Sequence, residues 1–156
     1  MKKLMTLLVT FLALLPFYAQ AENSTKIPGH TVHHNVITTD FLTPNIASAY
    51  RIMRSKNRGM INISVIKDEA GTTGKPVSAS INARVINLLG QERLVRLKEI
   101  REGDAIYYIG DFIIPSNERL VFMLDVRPEA ASRVRIAVSR YPITTAAPLI
   151  PAFVPT

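Results

Sequence analysis

The chain of 156 residues is 47% hydrophobic, 20% charged and 7% aromatic, with 19 Lys and Arg against 12 Asp and Glu, a formal charge of +7, and neither Cys nor Trp. This composition fits a globular domain and excludes a disordered chain, a collagen and a disulfide scaffold. Without a thiol, cysteine nucleophiles and thiolate metal sites are excluded too, and the apolar core alone must hold the fold.

Lys2 and Lys3 precede an apolar run over residues 4–17, which leads into Ala19-Gln20-Ala21, the small-x-small pattern that a signal peptidase cuts. About 14 apolar residues fall short of the roughly 20 that span a bilayer. Residues 1–21 therefore read as a secretory signal cleaved after Ala21, which makes the protein periplasmic and not membrane-spanning after cleavage. Cleavage removes two lysines and no acid, taking the formal charge from +7 to +5. In an envelope compartment such a protein meets lipid headgroups, anionic glycans and acidic protein faces, and nucleic acid is not an expected partner.

From residue 31 onward, short alternating stretches are separated by turn residues. Strands are predicted over 31–38, 59–68, 77–88, 91–100, 105–114, 118–127 and 133–141. Ile61, Ile63 and Val65 share one face of the second. The third buries Val77, Ala79, Ile81, Ala83 and Val85 and turns at Leu88-Leu89-Gly90-Gln91, and the sixth points Leu120, Phe122, Leu124 and Val126 inward. Seven strands without helical connections predict an all-β, antiparallel immunoglobulin-like sandwich, with a small barrel as the structural alternative. One short helical turn interrupts it, with Thr43 as N-cap and Pro44 in the first turn of a segment reaching Tyr50. The sandwich domain spans residues 22–141, and a proline-rich tail follows over 142–156.

Candidate chemistry is sparse. His30, His33 and His34 cluster in the first predicted strand, but in extended chain His30 and His34 lie about 13 Å apart and His33 faces the other way. A zinc or copper site using His33 or His34 would need acidic ligands from a neighbouring strand. Ser64-Val65-Ile66-Lys67 matches an S-x-x-K string, yet in a strand Ser64 and Lys67 project to opposite faces. Gly71-Thr72-Thr73-Gly74-Lys75 is too short for a phosphate loop and reads as a hairpin loop with glycines at positive φ. Glu102, Asp104 and Asp111 flank the fifth predicted strand, as acids commonly flank turns. Asp104-Ala105-Ile106-Tyr107-Tyr108 is similar to a tyrosine corner, in which a Tyr hydroxyl pins the start of a strand. The densest signal is basic: Arg51, Arg54, Lys56 and Arg58 place four cations in eight residues with no acid between them, a pattern suited to phosphate, carboxylate or sulfate groups.

Several strings carry a resemblance: Phe41-Leu42-Thr43-Pro44, Arg54-Ser55-Lys56-Asn57-Arg58, Ile61-Asn62-Ile63-Ser64-Val65, Asn87-Leu88-Leu89-Gly90-Gln91, and Ile100-Arg101-Glu102-Gly103-Asp104 running on to Gly110. Together they resemble a family of exported bacterial proteins catalogued as domain of unknown function 4426, over about residues 29–140. The resemblance implies a single periplasmic β-sandwich and carries over no catalytic residue. The expected function is a non-enzymatic module, without a cofactor, that binds an envelope protein or an anionic envelope component. Arg51, Arg54, Lys56 and Arg58 form its recognition edge, joined by Glu102 and Asp104. A metal-binding accessory role through the histidines is the alternative, and edge strands allow a homodimer.

Overall fold

Period-two alternation of apolar side chains builds two facing sheets. The computed structural model describes residues 23–114 and 119–140; the segment expected to be a signal peptide and the proline-rich tail lie outside them. The strands are β1 (Ser24–Ile27), β2 (His30–Thr38), β3 (Arg58–Lys67), β4 (Lys75–Pro76), β5 (Ala79–Ile86), β6 (Glu92–Val95), β7 (Lys98–Glu102), β8 (Ala105–Ile113), β9 (Leu120–Pro128) and β10 (Val134–Arg140). One sheet has the order β1-β2-β3-β8-β7, with β4 also pairing β3. The other has the order β10-β9-β5-β6, and every pairing is antiparallel.

The sandwich is as expected, while the seven predicted strands become ten among the described residues. The stretch 91–100 divides because the chain crosses between sheets after Val95, so that β6 pairs β5 and β7 pairs β8. β1 was hidden by its polar sequence, and β4 holds only Lys75 and Pro76, continuing the edge of β3 beyond the reach of β8. Gly71 and Gly74 of the β3–β4 loop do adopt positive φ, at 75° and 79°.

The core lies between the sheets. Val32, Ile61, Ile63 and Val65 from one and Phe122, Leu124 and Val126 from the other are fully buried, and each such side chain stabilises by about 1.5–3 kcal/mol relative to exposure. Phe112 of β8 meets Phe122 of β9 edge to face, ring centroids 5.0 Å apart. Tyr108 ties the sheets together by hydrogen bonds: its hydroxyl accepts from Ala79 N at 2.8 Å, at the first residue of β5, and donates to Glu99 Oε2 at 2.9 Å. This is the pinning role expected from the tyrosine-corner string, performed across the sandwich.

A third, smaller layer covers the outer face of the first sheet. The helix α1 (Pro44–Tyr50) starts where Thr43 accepts a hydrogen bond from Ile46 N and Pro44 fixes the first turn. It lays Ile46 and Ala47, with Leu42 and Ile52, onto Ile37, Met60 and Ile109 of β2, β3 and β8. Ile37 and Met60 break the polar side of their strands because this helix covers them.

The outer face of the second sheet carries an ion ladder across four strands. Arg84 reaches Glu92 at 2.8 Å and Asp125 at 3.2 Å, and Arg135 reaches Asp125 at 2.7 Å. The bond from Arg135 holds the Asp125 carboxyl below its ordinary 3.8, and the bonds from Tyr108 and Arg101 hold Glu99 below 4.5. Both depressed values mean that the folded state favours the ionised form. The stability they add is complete above the ordinary values and is lost as pH falls through the depressed ones. The melting temperature is therefore expected to drop on acidification below about pH 4, and to drop less steeply in Glu99→Gln, as thermal melts across a pH series will show.

Candidate binding surface

The basic segment follows α1 directly. Arg51 ends the helix in the left-handed conformation, φ 56°, while its backbone N–H and that of Ile52 return to Ser48 O and Ala47 O at 3.1 and 2.8 Å. The reversal turns the chain back toward the start of β3. What fixes the returning loop is Thr39, which is fully buried. Its hydroxyl accepts from Ser55 N at 2.9 Å and lies 2.8 and 3.2 Å from the carbonyl oxygens of Met53 and Ser55, to which it donates. Sequence reasoning missed Thr39, since nothing in a β-branched strand end marks one hydroxyl as an anchor for a loop 14 residues away.

The four cations have different surroundings. Arg58, the first residue of β3, is ion-paired with Asp111 on β8. Arg54 donates from Nη2 to Asp40 O at 3.0 Å. The exposed side chains of Arg51 and Lys56 have no ion-pair or hydrogen-bond partner among the described residues. Arg54 and Arg58 thus bind the loop to the fold, and Arg51 and Lys56 present charge to solvent.

The acidic half of the expected edge is split. Glu102, at the end of β7, accepts a hydrogen bond from the Tyr50 hydroxyl at the end of α1, next to Arg51. Burial, then that bond, pushes the Tyr50 phenol up to about 12, so it stays a donor at neutral pH. Asp104 is exposed in the turn between β7 and β8. Arg58 pairs in register with Ile113 and Glu102 with Ala105, at opposite ends of β8, about 25 Å apart along the strand at 3.3 Å per residue. Glu102 is therefore brought to the Arg51 end of the loop and not to Arg58. Asp104 and Asp111 are likewise held apart and cannot act on one group.

The histidines alternate as expected. His33 is exposed on the outer face, whereas His30 and His34 are buried on the core-facing side, His34 Nε2 lying 3.1 Å from Thr25 Oγ1 and His30 Nδ1 lying 3.1 Å from Pro28 O. Among the described residues no three His, Cys, Asp or Glu side chains converge as a metal site would need. Ser64 and Lys67 sit on opposite faces of β3. No described helix is long and apolar enough to cross a membrane.

These features define an antiparallel two-sheet sandwich with a helical cover and an anchored basic loop. The chain belongs to the family described as Domain of unknown function (DUF4426), whose model matches residues 24–140. A crystal structure of a member of that family from Pseudomonas aeruginosa PAO1 is similar at 31% identity, with a TM-score of 0.67 over 80% of this chain and 98% of that one. The fold is also similar to that of FetP from uropathogenic Escherichia coli strain F11. A copper-bound variant matches at 9% identity and TM-score 0.56 over 78% of this chain and 95% of that one. The as-isolated protein matches at 11% and 0.50 over 76% and 89%. No curated protein matches the sequence.

Proposed function

We propose that the protein is a non-enzymatic module of the periplasm that binds an anionic partner through the loop between α1 and β3. The observation that carries this reading is the contrast within the loop. Its backbone is held by the buried Thr39 hydroxyl, while Arg51 and Lys56 project from it without a partner among the described residues. A cationic surface fixed in advance loses little conformational entropy on binding. Glu102 borders it at the Arg51 end and would disfavour a wrong orientation of the bound anion. The FetP structure holds copper, but here His33 and His34 face opposite sides of β2, and that geometry gives a metal role no support.

The test is photo-crosslinking in cells from position 57, in the wild-type background and in Arg51→Glu/Lys56→Glu. A discrete adduct that disappears on charge reversal is expected, with an unchanged melting temperature, since neither side chain holds the fold. An adduct of equal yield in both backgrounds would overturn the reading.

A further inference from the structure

The turn between β5 and β6 is built against the usual preference for polar residues at such positions. Asn87 organises it: its Oδ1 accepts from Leu89 N at 3.1 Å and Gln91 N at 2.9 Å, and its Nδ2 donates to Gln91 Oε1 at 2.8 Å. Gly90 completes the turn with φ 74° and a hydrogen bond from its N–H to Asn87 O. What this tied turn displays is Leu88 and Leu89, 67% and 81% exposed.

The turn shares one end of the sandwich with the part of the basic loop that leads into β3, where Asn57 O accepts from Ile114 N, whereas Arg51 lies toward Glu102 and away from this end. Phe112 touches Phe122 across the core, Gly59 lies opposite Phe112 in one sheet, and Val85 lies opposite Phe122 in the other. The start of β3 and the end of β5 are thereby stacked. Phe41, Met53 and Ile113 are exposed at the same end, so that five of the six large apolar side chains exposed among the described residues gather there, Leu94 being the sixth. Scattered exposed leucines require no explanation, but apolar tips gathered beside cations do.

We infer that this end docks on an anionic lipid bilayer, with Leu88 and Leu89 entering the interface and Lys56, together with Arg54, resting on lipid phosphates. The inference rests on the reading of the basic loop given above and names its partner. Charge complementarity selects the occupant: the unpaired Lys56, and Arg54, whose guanidinium meets only the Asp40 carbonyl oxygen, share this end with the apolar tips, and a surface that is apolar just beneath an anionic layer satisfies both at once. The shape agrees, because the leucines stand on a projecting turn and do not line a groove. The rigidity of the turn keeps them outward before contact, so little order is lost on docking.

The chain has no Trp, so Leu89→Trp in the full exported protein gives a single tryptophan at the tip, excited selectively over the tyrosines. With vesicles of phosphatidylglycerol and phosphatidylcholine in equal parts, its emission is expected to move to shorter wavelength, and pure phosphatidylcholine is expected to leave it unchanged. Adding Lys56→Glu is expected to weaken vesicle binding at least about fivefold. Emission unchanged by the anionic vesicles overturns the bilayer as partner. If the crosslink from position 57 still depends on charge, the basic-loop reading stands without it. An equal shift with neutral vesicles also overturns the inference, as does a shift indifferent to charge reversal.

Discussion

Gly59→Val is expected to lower the unfolding free energy by about 3 kcal/mol or more, and the melting temperature by about 10 °C. Gly59 lies opposite Phe112 in the β3–β8 register, and the ring occupies the space above it: a Cβ at position 59 would fall 2.2 Å from Phe112 Cζ. No side chain fits there unless the ring leaves, and the ring is also the edge-to-face partner of Phe122 in the core. Overpacking at this point therefore propagates across the sandwich. Thermal melts of Gly59→Ala, Gly59→Val and the double variant Gly59→Ala/Phe112→Leu check the cause, since the smaller side chain at 112 should restore part of the loss. A Gly59→Val protein that melts like wild type would mean that Phe112 does not pack over the glycine.

Thr39→Val carries the second large effect, and it separates the order of the loop from its charge. The replacement is similar in shape but lacks the hydroxyl, which leaves Ser55 N–H and Met53 C=O without the partner they share. Each buried group left unsatisfied costs about 1–3 kcal/mol, so a total of about 2–4 kcal/mol is expected where both stay dry. All four cations remain in this variant. Faster hydrogen exchange at the Ser55 amide and a weaker crosslink from position 57 are expected, both restored by Thr39→Ser, which keeps the hydroxyl. An unchanged Ser55 exchange rate would show that Thr39 does not anchor the loop.

The sandwich was legible because long strands alternate. Ile61, Ile63 and Val65, or Leu120, Phe122, Leu124 and Val126, mark an inner face that only period two explains, and the structure buries them. The short elements escaped because their residues are polar or their partners distant. Ser24–Ile27 becomes a strand by pairing with β2, and Lys75–Pro76 by continuing the edge of β3. Neither has an apolar pattern of its own. Thr43 and Pro44 announced the helix because capping is local chemistry read from adjacent residues.

The candidate surface was legible in its charge and not in its organisation. Four cations within eight residues are visible in any sequence, but Arg58 is neutralised by Asp111, more than 50 positions away, and that partnership exists only once β3 and β8 are paired. The neighbouring Leu88 and Leu89 read as an ordinary tight reversal. Their exposure follows from Asn87 using its side chain to close the turn, a use of an amide that the letters of the chain do not announce.

The way the two sheets are strung together also sets the pace at which the protein can fold. β3 finds β8 and β5 finds β9 only after about a third of the described chain has been laid out between them, and these four strands supply most of the fully buried core side chains. Closing such large loops costs entropy before any contact returns it, so such sandwiches acquire structure in milliseconds to seconds. The tight β1–β2, β5–β6 and β7–β8 hairpins are the segments able to form early. Until β8 and β9 arrive, the apolar faces of β3 and β5 stand uncovered, and the interval before they close is the period in which this chain is most open to capture by another molecule.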